Sequence, residues 1–205
     1  AQQYVDQATG QVTVSQENGA TNTFTPAGNG SYTSPSRVFA TLRQNDDGSY
    51  TFTRLKQQVF TFDSAGVLTS ERDLNGETTT LSYDRAGELS AVIDSAGRVT
   101  TFDHNSDGTV SEVTDPAGRV VSYGYDSAGN LTAVTDVGGG TWAFAYDAGH
   151  RLLTMTDPKG GVVINVYDST GRVTRQTDAM GRVTTFIYSG DNLSAAGGTT
   201  TITDP

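Results

Sequence analysis

The sequence predicts an all-β protein, an antiparallel meander of short hairpins forming a curved strip. Three observations carry that expectation. Aspartate and glycine recur as D-x-x-G every ten or eleven residues over much of the chain. The runs between them, such as "NLTAVT" and "RVVSYGY", are short and rich in Thr, Val and Tyr, the composition of strands. The whole pattern returns with a constant period of twenty-one.

The turns come first in the argument. Asp73, Asp94, Asp115, Asp136, Asp157 and Asp178 mark that period, and Gly76, Gly97, Gly118, Gly139, Gly160 and Gly181 each follow three residues later. Ten residues after each of these aspartates lies an aromatic position: Tyr83, His104, Tyr125, Tyr146, Tyr167 and Tyr188. The next residue opens a second turn at Asp84, Asn105, Asp126, Asp147 and Asp168, closed by glycines such as Gly87, Gly129 and Gly171. Aspartate caps a turn by accepting backbone N–H bonds two residues on, and glycine supplies positive φ without steric cost. Gly118 and Gly129 are therefore expected at positive φ. Two turns per unit give two strands per unit, and glycine at this spacing excludes long helices.

The strands follow by alternation. Val121, Tyr123 and Tyr125 share one face, as do Trp142, Phe144 and Tyr146, while Ser122, Gly124, Ala143 and Ala145 take the other. In the intervening strand Leu131 and Val134 differ by three, an odd number, so placing both on the ring face requires a bulge. The frame begins near Phe62 and slips after Tyr188. Residues 60–190 are thus read as the repeats, 1–59 as an irregular β lead-in, and 191–205 as an irregular truncated repeat. Both ends look cut, so the sequence reads as a fragment of a longer protein.

Composition narrows the function classes. Hydrophobic residues are 35%, yet nine Tyr and eight Phe exclude a disordered chain. Net charge is −10, and Lys56 and Lys159 are the lysines. Without a basic stripe, nucleic acid is not the expected partner, and neither is an anionic membrane surface. No apolar run approaches a membrane span, so membrane insertion is not expected. Cys is absent, which removes disulfides and thiolate metal ligands.

Three constellations invite a chemical reading. Neighbouring turn carboxylates such as Asp126 and Asp147 have the residue type of an acid-dependent hydrolase. Every unit carries the same aspartate, however, which favours a turn cap and no catalytic residue. Asp103, Asn105 and Asp107 match the first half of a calcium loop, but Thr114 stands where the bidentate Glu belongs, so an ordinary turn is preferred and no metal or cofactor is expected. Tyr123, Tyr125, Trp142 and Tyr146 form a candidate glycan platform, against the simpler reading that these rings are the buried side of the strip. His104 stands in the ring ladder and His150 in a surface turn.

The strings "YDSAGNLTAVTD", "TDPAGRVVSYGYD", "YDAGHRLLTMTDPKG" and "YDSTGRVTRQTDAMGRVTTFIY" resemble the YD repeat of Rhs proteins, found also in teneurins and in the C-component of insecticidal toxin complexes. That resemblance implies a strip that spirals into a hollow β-shell. It implies a structural wall segment that encapsulates a C-terminal toxin or supports cell-surface adhesion, without catalysis of its own. The partners it implies are the rest of the shell and an enclosed effector, in a secreted or surface-exposed bacterial protein. A carbohydrate-binding adhesive module, with cell-surface glycans as partners, is the alternative, and an acid-dependent hydrolase the more distant one.

Overall fold

The computed structural model describes residues 2–5, 9–16, 18–54, 58–189 and 199–205. Among them there is no helix, and the regular elements are strands. The chain divides into two compact units, Ala1–Phe102 and Asp103–Pro205. The first holds β1 (Gln2–Val5), β2 (Val12–Ser15), β3 (Thr21–Gly28), β4 (Ser31–Thr33), β5 (Ala40–Gln44), β6 (Tyr50–Arg54), β7 (Gln58–Phe62), β8 (Leu68–Arg72), β9 (Thr78–Tyr83), β10 (Leu89–Ile93) and most of β11 (Val99–His104). The second holds β12 (Val110–Thr114), β13 (Val120–Tyr125), β14 (Leu131–Thr135), β15 (Thr141–Tyr146), β16 (Leu152–Thr156), β17 (Val162–Tyr167), β18 (Val173–Thr177), β19 (Val183–Ser189) and β20 (Thr199–Thr203). Within each unit every strand pairs antiparallel with the next in sequence. The predicted all-β meander is the observed one. Residues 190–198, most of the predicted slipped repeat, lie outside the described residues.

The hairpins close by one device. In the turn Asp115–Arg119, the Asp115 N–H donates to the Arg119 carbonyl at 3.0 Å and the Gly118 N–H donates to the Asp115 carbonyl at 2.9 Å. Gly118 sits at φ 76° and Gly129 at φ 79°, as expected of the left-handed residue that turns a type I loop back into its strand. The bulge predicted between Leu131 and Val134 is present: Gly124 pairs with Ala133, but Tyr125 pairs with Leu131, leaving Thr132 extra. The same shift occurs at Phe62, Tyr83, Tyr146 and Tyr167. It lets the ring at the end of one strand and the apolar residue opening the next share a face.

Burial is distributed unevenly. Val12, Val14, Phe24, Leu42, Tyr50, Phe52, Phe60 and Phe62 form the buried core, all within the first unit. Phe24 on β3 meets Phe52 on β6 edge-on, with ring centroids 5.9 Å apart. These strands are not paired, so the contact joins two layers. Each such phenylalanine contributes about 1.5–3 kcal/mol relative to an exposed one. A polar chain runs beside the core: Arg54 donates to Gln16 at 2.9 Å and to Gln58 at 3.0 Å, and Gln58 donates to Glu71 at 2.8 Å. The second unit has no fully buried apolar side chain among its described residues, and its one buried residue there is Asn165. Its sheet is a single layer, with Trp142, Phe144 and Tyr146 half-buried on the ring face and Thr141, Ala143 and Ala145 exposed opposite.

Candidate functional site

The repeated aspartates are consumed by their own turns. Asp126 Oδ1 accepts the Ala128 N–H at 2.9 Å and the Asn130 N–H at 2.9 Å, while Oδ2 accepts the Asn130 side-chain amide at 2.9 Å. Asp147 Oδ1 accepts the Gly149 N–H at 2.8 Å and the Arg151 N–H at 3.1 Å, and Oδ2 accepts Arg151 Nε at 2.6 Å. The Asp84, Asp94, Asp115, Asp136, Asp157, Asp168 and Asp178 carboxylates accept the same two backbone N–H groups in their turns. Arginine four residues on adds an ion pair at Asp94, Asp168 and Asp178.

These donors set the acidities. The Arg119 side-chain and backbone hydrogen bonds hold Asp115 below the usual carboxylate range, as the Arg151 bonds do for Asp147 and the Asn130 bonds for Asp126. The Thr170 hydroxyl is the largest cause at Asp168, and the Arg98 and Arg182 backbone N–H groups are the largest at Asp94 and Asp178. A carboxylate held ionised is a poor general acid, because it has no proton to give near neutral pH. Among the described residues no group of three or more His, Cys, Asp or Glu is placed to hold a metal ion. In the candidate calcium loop, Asp107 Oδ1 accepts the Thr109 N–H and hydroxyl at 3.0 and 2.7 Å, and the Asn105 amide donates to the same hydroxyl at 2.9 Å. The turn Asn45–Ser49 is built the same way. Asp103 lies back on β11, exposed.

The ring ladder is a packing device with a polar tip. Tyr83, Tyr167 and Tyr188 donate their phenolic O–H to the Leu68, Leu152 and Val173 carbonyls at 2.8, 2.8 and 2.6 Å. Each reaches back to the residue that opens the preceding strand. Arg151 and Arg172 lie over the Tyr167 and Tyr188 rings, at 5.2 and 4.7 Å from the centroids. Tyr123, Tyr125, Trp142 and Tyr146 are half-buried on the same face. The arginine–ring stacks join residues far apart in sequence. Their signal is visible only once the register is known, as arginine sixteen residues before a repeat tyrosine.

Two departures from the repeat stand out. The turn "DAGHR" puts Gly149 one place early, so His150 takes the left-handed position at φ 61°. Its Nδ1 lies 2.7 Å from Asn130 Oδ1 in an earlier sister turn. On β17, Asn165 replaces the ring or aliphatic residue of its sister strands, Leu81, Tyr123, Phe144 and Phe186. Its amide donates to the Leu152 carbonyl at 3.1 Å and its oxygen accepts from Gln176 at 2.9 Å.

Comparison with known proteins places this geometry. The family model described as RHS Repeat matches residues 62–99, 83–120, 104–141, 125–162 and 167–205. The first four matches start one hairpin pair apart, in step with the period of the sequence. Among solved structures, that of TcdB2-TccC3-Cdc42 is similar with a TM-score of 0.58 at 14% identity, over 88% of this chain and 12% of that one. That of TcdB2-TccC3 is similar with a TM-score of 0.53 at 13% identity, over 90% of this chain and 14% of that one. At such identity the likeness is one of fold. The chain spans a small part of the length of the structures it matches. No curated protein matches it.

Proposed function

Because the chain belongs to the RHS repeat family, whose model covers more than half of it, we propose that it is a structural wall segment of an Rhs-type β-shell, the kind of shell that encloses a C-terminal toxin or supports adhesion, in an exported bacterial protein. One observation supports this most: the chemistry of each unit is spent on the unit's own turns and on its neighbours. The carboxylates cap turns, arginines such as Arg151 and Arg172 pair with those carboxylates and stack on rings, and tyrosine hydroxyls bond carbonyls one strand back. What remains among the described residues is a repeated surface with no convergent pair of reacting groups, which suits a wall and not a catalyst. Its partners on this reading are further strands of the same shell and whatever the shell holds.

The test sets the wall against its two rivals. The wild-type chain and Trp142→Ala are applied to a glycan array, and the wild type and Asp126→Asn are incubated with a polysaccharide panel. The wall reading expects no specific glycan binding and no turnover. Binding abolished by Trp142→Ala replaces it with an adhesive module, and turnover lost in Asp126→Asn replaces it with a hydrolase.

A further inference from the structure

Strand β17 inverts the polarity of its sisters. On the ring face it carries Asn165 between Val163 and Tyr167, and on the opposite face it carries Val162, Ile164 and Val166. The sister strands present Ser122 and Gly124, or Ala143 and Ala145, at the last two of those positions. Asn165 is buried, whereas Ile164 is 44% and Val166 45% exposed. The matches to the RHS repeat model leave one gap between 62 and 205, and that gap is 163–166. The match due to start at Tyr146, in step with the others, is absent, and β17 lies within that stretch. On the neighbouring strands the patch continues to Ile187, 65% exposed, and to Arg175, which is cross-strand from Val166 and from Thr185. Arg175 is exposed and has no ion-pair partner among the described residues.

We propose that the outward face of β17–β19, formed by Ile164, Val166 and Ile187 around Arg175, docks an amphipathic segment of a partner protein whose aliphatic side chains surround one carboxylate. Branched aliphatic side chains in a cluster leave water favourably only when another apolar surface covers them. An unpaired guanidinium inside such a cluster selects a carboxylate, because covering it with an uncharged surface desolvates a charge without compensation. A second copy seated face to face is a poor occupant, because the two-fold contact would bring Arg175 against its own counterpart, like charge on like. The inference rests on the chemistry of one face and not on the wall reading.

The probe is a labelled helical peptide with a leucine face around one glutamate, and a twin with lysine in its place, titrated at low ionic strength. The glutamate peptide is expected to bind the wild-type chain about fivefold more tightly than its twin, the scale of one charge pair. Arg175→Glu is expected to reverse that order, and Ile164→Thr combined with Val166→Thr to weaken both peptides. Threonine is at home on an exposed strand, and far-UV circular dichroism checks that the fold is kept. Absence of binding to the wild type overturns the proposal, as does an order that Arg175→Glu leaves unchanged. Dimerisation of the wild type, lost in the threonine variant, overturns it in favour of a second copy.

Discussion

The first unit packs β2 and β3 onto β5–β7 and excludes water from eight apolar side chains. The second, built from the same antiparallel hairpins, leaves its rings half-buried on one layer. The difference lies in what each sheet face meets. A face covered by a second layer gains apolar burial that a bare face does not. The second unit is held instead by devices repeated along its hairpins: aspartate caps, left-handed turn residues, and tyrosine hydroxyls on carbonyls. Stability in such an array is a sum over neighbours, not the property of one core.

The largest expected effect breaks the core. Phe52→Ala is expected to cost about 3–5 kcal/mol, measured by urea unfolding, because Phe52 is 1% exposed and its neighbours cannot close the space. Phe144→Ala, on the half-buried ring face, is expected to cost clearly less. Equal losses would mean that both units bury their rings alike.

Next comes the backbone of the strip. At Gly118 a Cβ meets nothing within 4 Å, so the cost of Gly118→Val is conformational and not steric. It is expected at about 1–3 kcal/mol. Gly181→Val, at φ 78° and equally open, is expected to lower the melting temperature less, because it lies near the last repeats and interrupts fewer neighbour contacts. A loss at Gly181 equal to or above that at Gly118 would point to one cooperative globule.

Smaller again is the polar pair on β17 and β18. Asn165→Phe alone removes the acceptor of the exposed Gln176 and is expected to cost about 0.5–1.5 kcal/mol. Adding Gln176→Val restores the ring–aliphatic pair of the sister hairpins, such as Phe144 with Met155, and is expected to recover most of the loss. A double-mutant cycle in thermal unfolding reads the coupling. Additive losses would show that the two side chains do not act as a pair.

The mildest effect is acid sensitivity. The carboxyls of Asp115, Asp126, Asp147, Asp168 and Asp178 in the second unit all titrate below their unfolded value. A depressed folded pKa gives stability that is fully present above the unfolded pKa, near 3.9, and is lost as pH falls through the folded values. The melting temperature is therefore expected to be flat from about pH 8 to about pH 5 and to fall below about pH 4. Asp168→Asn is expected to shrink that fall. A midpoint of loss near pH 6 would implicate the histidines instead.

How much of this could be read in advance follows from the range of each interaction. The hairpin frame, the positive φ of Gly118 and Gly129 and the bulge after Tyr125 are legible in the residues alone, because a turn is closed by atoms within four residues of one another. The alternation of β17 was also present in "VVINVY", but its meaning needed the register that sets Asn165 beside Gln176 and Val166 beside Arg175. Where the core lies depends on packing between strands distant in sequence. Residues 1–59 read as an irregular lead-in, yet Val12, Val14, Phe24, Leu42, Tyr50 and Phe52, most of the buried core, come from them. Their burial depends on Phe24 of β3 meeting Phe52 of β6, although β4 and β5 intervene in sequence. Hydrophobic burial has no direction and no fixed spacing, so a local pattern cannot say which face will find a second layer.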